Sequence, residues 1–477
     1  MRSVAVVGGG ISGLAAAHRL HELAAQRSLP LRPVVLEASQ RAGGVISTLT
    51  RDGFLIEEGP DSIVTDKPWG RQLAERVGLG PHLIGTQEGR RRSFVLRRGR
   101  LLPTPDGFYL LAPTRFAPLI TTRLFSPMGK ARMAMDLVIP RRTHGGDESV
   151  ASFVRRRLGR EALERIAQPM IAGIYGADPE MLSLRATFPR FLQMEAEQGS
   201  VIRAMMAARR RPASGARESD ASGARYGLFA SIDQGLESLV HAVAGRLAAG
   251  TIRTGARVIA LRRAPDGWDV ITDAGPERHD AVVLALPAHA AAALLEPLDA
   301  ELSSRLASIG YGTAATVSLA FQESHVDHSL DGFGFVVPAI EGLSITGCTF
   351  ASRKYVGRAP DGWALLRAFW GPPSEGLTES FILERTLDEL RGPLGLRGDP
   401  RLAHVSRWPR SMPHYAVGHL DLVAGIERHA AALPRLALAG NAYRGIGIPD
   451  CVRSGETAAE SLVASLFPAE GGASADS

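Results

Sequence analysis

Val4 to Gly13 reads VAVVGGGISG, and LAAAHRL follows without a break. A β-branched apolar run, a glycine turn and a helix-forming segment, in that order, predict strand, tight turn and helix. Gly8, Gly10 and Gly13 fit G-x-G-x-x-G. In that pattern the first glycine permits the turn, the second lets a diphosphate approach the backbone, and the third lets helix pack on strand. The free N–H groups and the dipole at the start of the helix favour a bound anion. Glycine also marks ordinary tight turns, so the motif decides little by itself.

Two features just beyond it add weight. A second apolar run, Pro33 to Leu36, ends in Glu37, close to the roughly 20-residue offset at which an acid accepts hydrogen bonds from a ribose. An acid there favours an unphosphorylated ribose. Arg41-Ala42-Gly43-Gly44 follows, offering a guanidinium for phosphate and two glycines for close backbone approach. This R-x-G-G after the acid resembles the flavoproteins that include amine oxidases, phytoene desaturases and protoporphyrinogen oxidases, rather than nicotinamide dehydrogenases. The resemblance implies FAD.

The chain has 477 residues, more than one core supports, so two or three domains are expected. Its 45% hydrophobic and 22% charged composition is that of a soluble globular protein. Two cysteines, Cys348 and Cys451, exclude a disulfide framework and a cysteine-rich metal site, and fit a reducing cytoplasm. Met1-Arg2-Ser3 runs straight into the first strand, leaving no room for a signal peptide, and no apolar run reaches the roughly 18 residues of a membrane span. The net charge is +6 and the isoelectric point near 9.7, carried by arginine clusters at 90–92, 97–98, 155–157 and 209–211. No nucleic-acid motif or interleaved stacking aromatic accompanies them, so nucleic acid is not the expected partner. A solvated face, anionic lipid and an acidic small substrate remain.

Further along, Asp52-Gly53 and Asp266-Gly267 each sit between strand-like runs and predict hairpins. SFVLRRGRLLPTP predicts another strand pair, and DESVASFVRRRLGREALERI a helix capped by Asp147 or Ser149. Phe108 to Phe125 is apolar, aromatic and proline-broken, with Arg115 and Arg123; it is either buried core or a surface at the membrane interface. Arg209 to Gly227 is rich in Gly, Ser, Ala and charge and predicts a mobile loop. DAVVLALPAHAAAALL gives a buried strand and a helix start, and the region from about 298 to 404 reads as an α+β unit. Near the C-terminus, Gly440-Asn441 closes a strand, and Gly445, Gly447 and Pro449 open the backbone before a helix. N–H groups there can face an electron-rich ring edge.

Nucleophilic and metal catalysis find little support. There is no G-x-S-x-G, no HExxH and no ligand spacing among the thirteen histidines. His414 and Tyr415 read first as packing residues.

SFVRRRLGREALERIAQPMIAGIYGADPEMLSLRATFP, RWPRSMPHYAVGHL and GNAYRGIGIPDCVRSG resemble the oxygen-dependent protoporphyrinogen oxidases, and the resemblance covers essentially the whole chain. It implies a discontinuous Rossmann-like α/β domain for FAD (1–90, 226–297 and 405–468), an α+β substrate domain (298–404), a helical insertion with a membrane-binding surface (91–208), a mobile loop (209–225) and a disordered tail (469–477). It implies noncovalent FAD contacts at Gly8, Gly9, Gly10, Ile11, Ser12, Gly13, Glu37, Ala38, Arg41, Gly44, Gly59, Pro60, Asp61, Ser62, Val258, Trp408, Ile446, Gly447 and Ile448, with Gly173 beside the reactive flavin edge. It also implies a homodimer in the cytoplasm, attached peripherally to the inner face of the cell membrane. The implied reaction takes protoporphyrinogen IX to protoporphyrin IX with O2 reduced to peroxide, in heme biosynthesis. Coproporphyrinogen oxidation is the runner-up, and amine oxidation, with Tyr415 and Tyr443 as an aromatic pair, is third. Two departures stand out. Asp61 replaces the family's usual amide, which makes it a candidate base in the reaction, or else a turn residue with a lowered pKa. The arginine that holds a propionate falls on Ser93, so Arg92 or Arg97 is the candidate replacement.

Overall fold

The computed structural model describes residues 1–90, 92–105, 108–109, 112–113, 116–143, 145–210, 229–371 and 376–468. The expected loop, from residue 211 on, and the expected tail lie outside the described residues. Residues 209–210 end a helix, Val201–Arg210.

The opening strand Arg2–Val7 is the middle of five parallel strands in the order 252–253, 31–36, 2–7, 281–284, 436–438. Val6 lies opposite both Val35 and Val283, and Val283 opposite Ala437. Val4 to Val7 and Ala281 to Leu284 are buried, as strands covered on both faces must be. One cover is the pair formed by the opening helix Ile11–Gln26 and the final helix Ile448–Leu466. They touch so closely at Gly455 that a Cβ there would overlap the Ser12 carbonyl oxygen. The other cover includes the antiparallel strands Val258–Ala264, Gly267–Thr272 and Gly275–His279. Trp268 is buried among them and donates to the Pro434 carbonyl at 3.1 Å.

A second, seven-stranded sheet has the order 402–413, 311–322, 363–370, 345–350, 334–336, 94–97, 100–103. It is antiparallel except between 334–336 and 94–97. Alternation sorts its faces. Val317, Leu319, Leu366 and Ala368 pack under helix Glu379–Leu394, while Thr316, Ser318 and Arg367 turn the other way. This sheet corrects two expected boundaries. The 94–103 hairpin, assigned from sequence to the helical insertion, is hydrogen-bonded into the substrate sheet, with Phe94 opposite Phe335. Leu402–Pro413, assigned mostly to the nucleotide domain, is an edge strand of that same sheet, with Val405 opposite Val317. Both corrections follow from pairing partners far off in the chain, which local pattern cannot reveal.

Helices between residues 116 and 210, among them Val150–Arg157, Gln168–Tyr175 and Pro189–Gln198, share a core around Phe153, Ile166 and Phe191. Ser149 is the cap of the first, accepting from the Ser152 N–H at 3.1 Å. At the centre of this region the fully buried Arg157 pairs with Asp136 at 2.5 Å and donates to the carbonyls of Ile139 and Gly199. Among the described residues no helix is long and apolar enough to cross a membrane.

Candidate functional site

The glycine turn between the opening strand and helix is held from several sides. Gly8 has a φ of 103°, in the region that favours glycine, and a side chain at Gly13 would run into the Gly8 carbonyl. Gly10 differs: nothing lies within 4 Å of where its Cβ would stand. It precedes the first turn of the opening helix, which has no side-chain cap, so the N–H groups of Ile11, Ser12 and Gly13 face an open space. A diphosphate fits that cradle in charge and in room.

Glu37, at the end of strand Leu31–Leu36, accepts from the Gly9 N–H at 2.6 Å and the Ser39 N–H at 2.8 Å. It therefore anchors the turn, and its remaining lone pairs are what a ribose can meet. Ala38 follows in the same loop, and Gly255 and Ala256 hydrogen-bond to Ser39 and Glu37, which brings Val258 toward this end. Arg41 corrects the simplest expectation. Its guanidinium donates to the carbonyls of Ala42 at 3.2 Å, Gly44 at 2.7 Å and Ile46 at 3.0 Å and pairs with Glu237 at 3.2 Å, so it shapes the Gly43–Gly44 turn more than it waits for phosphate. Its face lies 6.0 Å over the Trp408 ring. Trp408 donates to the Glu58 carbonyl at 2.8 Å, so the far edge of the second sheet reaches the residue just before Gly59.

Gly59, Pro60, Asp61 and Ser62 form a loop against the second sheet. Arg367, buried in an otherwise apolar strand, donates to the Gly59 carbonyl, and its Nε has no hydrogen-bond partner among the described residues. Asp61 pairs with Lys354 at 2.8 Å and accepts from Ser62 Oγ at 2.7 Å. Lys354 and Tyr355 each donate to Ser62 Oγ at 2.8 Å. Burial pushes the Asp61 carboxyl up, but Lys354 and Arg367 outweigh it and hold the group well below the usual carboxylate range. Asp61 is thus ionised at any working pH and already paired. The candidate base becomes an ion-pair residue, because its partner cation arrives from a strand-and-helix unit 293 residues away.

The C-terminal turn is clamped by residues that sequence reading left as packing. Tyr415 Oη donates to the Asn441 carbonyl at 2.6 Å and accepts from the Gly445 N–H at 2.7 Å. Its ring stacks on His419 at 4.0 Å, and His419 meets the Tyr443 carbonyl at 2.9 Å. Tyr415 and Tyr443 are both buried, so they do not present an aromatic pair to a substrate, and the amine-oxidase expectation loses its feature. Gly445, at φ 145°, crosses over Asp450, which holds Lys67 at 2.7 Å. Ile446, Gly447 and Ile448 then open the final helix with no side-chain cap on its first N–H groups. Cys451, just inside, is buried, and burial pushes its thiol up to about 12.

Gly173 lies on helix Gln168–Tyr175 with nothing within 4 Å of its Cβ position, so this face of the helix is open. The Arg92 side chain is exposed and pairs with Asp331 at 2.9 Å. Arg97 ends strand Phe94–Arg97, on the same face as Val95. Among the described residues no group of three His, Cys, Asp or Glu side chains gathers to hold a metal ion.

The family model of flavin containing amine oxidoreductases matches residues 11–463. The coproporphyrinogen III oxidase of Bacillus subtilis (strain 168) is 35% identical over 98% of this chain and 99% of its own length. The chloroplastic protoporphyrinogen oxidase of Nicotiana tabacum is 30% identical over 94% of this chain and 83% of its own. A crystal structure from Exiguobacterium sp. 255-15 superposes with a TM-score of 0.85 at 33% identity, covering 97% of this chain and 98% of that one. A putrescine oxidase structure, at 18% identity and a TM-score of 0.68, shares the fold. With an uncapped glycine cradle, a clamped C-terminal turn and a match over nearly its whole length, this chain belongs to the flavin containing amine oxidoreductase family.

Proposed function

We propose that this protein is an FAD-dependent porphyrinogen oxidase that takes protoporphyrinogen IX to protoporphyrin IX in three two-electron steps, with O2 reduced to H2O2. The observation that carries the reading is near-full-length likeness, at 30–35% identity, to proteins named for porphyrinogen oxidation. When bound, FAD supplies the hydride acceptor and passes the electrons to oxygen. The protein supplies orientation and charge. The N–H groups of Ile11 to Gly13 would hold the diphosphate, Glu37 would take the ribose, and the 59–62 loop and the 446–448 turn would supply contacts to the ring system. Gly173 leaves room for substrate at the reacting edge. The raised pKa and burial of Cys451 favour noncovalent attachment, since a protonated, enclosed thiol is a poor nucleophile.

A second reading, oxidation of coproporphyrinogen III to coproporphyrin III, is favoured by three bacterial relatives of that name at 33–35% identity, against 30–31% for three chloroplast protoporphyrinogen oxidases. Ile120, Met128 and Val138 are exposed on the helical region, where Lys130 donates to the Ile120 carbonyl, which supports peripheral attachment to the inner face of the cell membrane. A cytoplasmic homodimer completes the proposal. The test is to offer each porphyrinogen to purified yellow enzyme in air and follow porphyrin fluorescence and peroxide. Failure to oxidise either one refutes the reading, and the ratio of kcat/KM values decides between the two substrates.

A further inference from the structure

Strand Trp363–Trp370 carries one cation, Arg367, on the face turned away from helix Glu379–Leu394. Its cross-strand neighbours, Ser318 and Thr349, are uncharged. The guanidinium donates to the Gly59 carbonyl, leaves its Nε without a hydrogen-bond partner and makes no ion pair among the described residues. Burial lowers its pKa, and the charges of Asp61 and Glu57 offset that only in part. Because a guanidinium ordinarily titrates above about 12, the group stays a cation. A cavity of about 20 Å³ lies beside it, and Glu57, Asp61, Tyr355 and Arg358 share its wall. There the other charges are matched: Lys354 pairs with Asp61 at 2.8 Å, and Arg358 faces Glu57 at 3.8 Å. Three cations against two carboxylates leave one positive charge in excess, that of Arg367. Burial pushes Glu57 up, so this acid offsets no more than one charge.

A buried charge without a partner is costly, and a neutral amide would serve the Gly59 carbonyl as donor equally well. The charge therefore needs an account of its own, and its surroundings supply one. A Cβ on Gly59 would overlap the Val45 carbonyl oxygen, so the 59–62 loop is pressed onto the loop that follows Gly43 and Gly44. That loop in turn leans on the open cradle: the Gly43 N–H donates to the Gly9 carbonyl at 2.8 Å, and a Cβ on Gly44 would stand 3.3 Å from Gly10 Cα. Arg367 thus stands behind two loops that close on the cradle, in an interior where a charge acts further than it does in water. Hydride transfer to the flavin ring, the step proposed above, adds one negative charge there, while the porphyrinogen loses that hydride and then a proton. A fixed cation nearby favours the negatively charged side of this equilibrium.

We infer that Arg367 is a positioning residue that sets the electron affinity of the cofactor, holding the 59–62 loop through the Gly59 carbonyl and favouring the reduced flavin through its unmatched buried charge. The inference rests on the proposed function, since it needs a bound flavin that accepts hydride. Asp61 and Lys354 belong to the same device with opposite signs, so removing the Asp61 carboxylate raises the local charge and removing the Arg367 guanidinium lowers it.

The test uses the holoenzyme and three variants, Arg367→Gln, Arg367→Lys and Asp61→Asn. The reduction potential of the bound flavin is read by equilibration with a dye of known potential, and flavin content and thermal midpoint check the fold. Glutamine keeps a donor for the Gly59 carbonyl and drops the charge, so the reduction equilibrium should fall about tenfold, equivalent to about 30 mV for a two-electron couple. Lysine keeps the charge and should stay within about threefold of wild type. Asp61→Asn should shift the equilibrium the other way, toward the reduced form, by about three- to tenfold. Loosening of the loop alone would not move the two variants in opposite directions. An Arg367→Gln holoenzyme within about twofold of wild type, or a shift of the same sign in Arg367→Gln and Asp61→Asn, overturns the inference. Should Arg367→Gln fail to retain flavin, Asp61→Asn decides alone: a shift toward the reduced form supports the inference, and no shift or the reverse overturns it. Opposite shifts in an enzyme that oxidises neither porphyrinogen leave the role of Arg367 standing and overturn the proposed reaction; turnover of a porphyrinogen without those shifts does the converse.

Discussion

Replacing Asp61 by asparagine is the sharpest probe of this protein. The substitution keeps the shape of the loop and one acceptor oxygen, but it removes the charge facing Lys354. The lysine side chain is 12% exposed and stays bonded to Ser62 Oγ at 2.8 Å. Breaking a buried pair by removing one member costs about 3–5 kcal/mol, because the other charge is left behind. Here the amide oxygen and Ser62 still accept from the ammonium, which brings the expected loss down to about 2–3 kcal/mol. For a chain of this length the unfolding entropy converts that to a fall of about 2–3 °C in the thermal midpoint, read from flavin fluorescence of the holoenzyme. Asp61→Asn combined with Lys354→Met should recover to within about 1 °C, since the pair is then gone as a unit. The pH dependence has a definite sign. The folded pKa of Asp61 is depressed, so its contribution is complete above the unfolded value near 3.9 and is lost only as pH falls through the folded value. Between about pH 5 and 9 the variant should show the same rate–pH shape as wild type. A flattened acidic limb in Asp61→Asn, together with an unchanged midpoint, would refute the ion-pair assignment and restore the carboxylate as a base.

Three further outcomes follow from the same geometry. Gly10→Val fills the open cradle and should yield folded but colourless protein; stoichiometric yellow flavin in that variant would sink the diphosphate assignment. Tyr415→Phe leaves the Gly445 N–H and the Asn441 carbonyl without their partner and should weaken flavin binding by about tenfold, equivalent to about 1.4 kcal/mol, in a dissociation titration, while a change under twofold would make Tyr415 a packing residue only. The helical region, with Ile120, Met128 and Val138 exposed, should carry the protein up with anionic vesicles in flotation, less so as salt rises; no binding at low salt removes this surface from the membrane.

The glycine turn, the acid after the second strand and the final glycine-rich turn were legible in the sequence because each is a local device. A positive φ, an uncapped helix start and a strand-length apolar run are written in consecutive residues, so the order of residues alone predicts the strand, turn and helix around Gly8 to Gly13, the loop that holds Glu37 and the open turn before the final helix. The hairpins at Asp52-Gly53 and Asp266-Gly267 were legible for the same reason, and both are formed. What tertiary structure alone decided is where charges meet. Asp61 reads from sequence as a possible base, and becomes half of an ion pair because Lys354 comes from the second sheet's domain. Arg92 and Arg97 are five residues apart and alike on paper. The pleat of one strand turns Arg97 toward a cavity that Arg98 and Arg165 also line, while Arg92, just before that strand, goes out to Asp331. Arg367 gives a faint signal, a lone cation in WALLRAFW, but only packing shows that it reaches the Gly59 carbonyl. Backbone conformation is set by neighbours in the chain, whereas the energy of a charge is set by neighbours in space, and in this protein those stand as far as 441 residues away, as Glu460 does from Arg19.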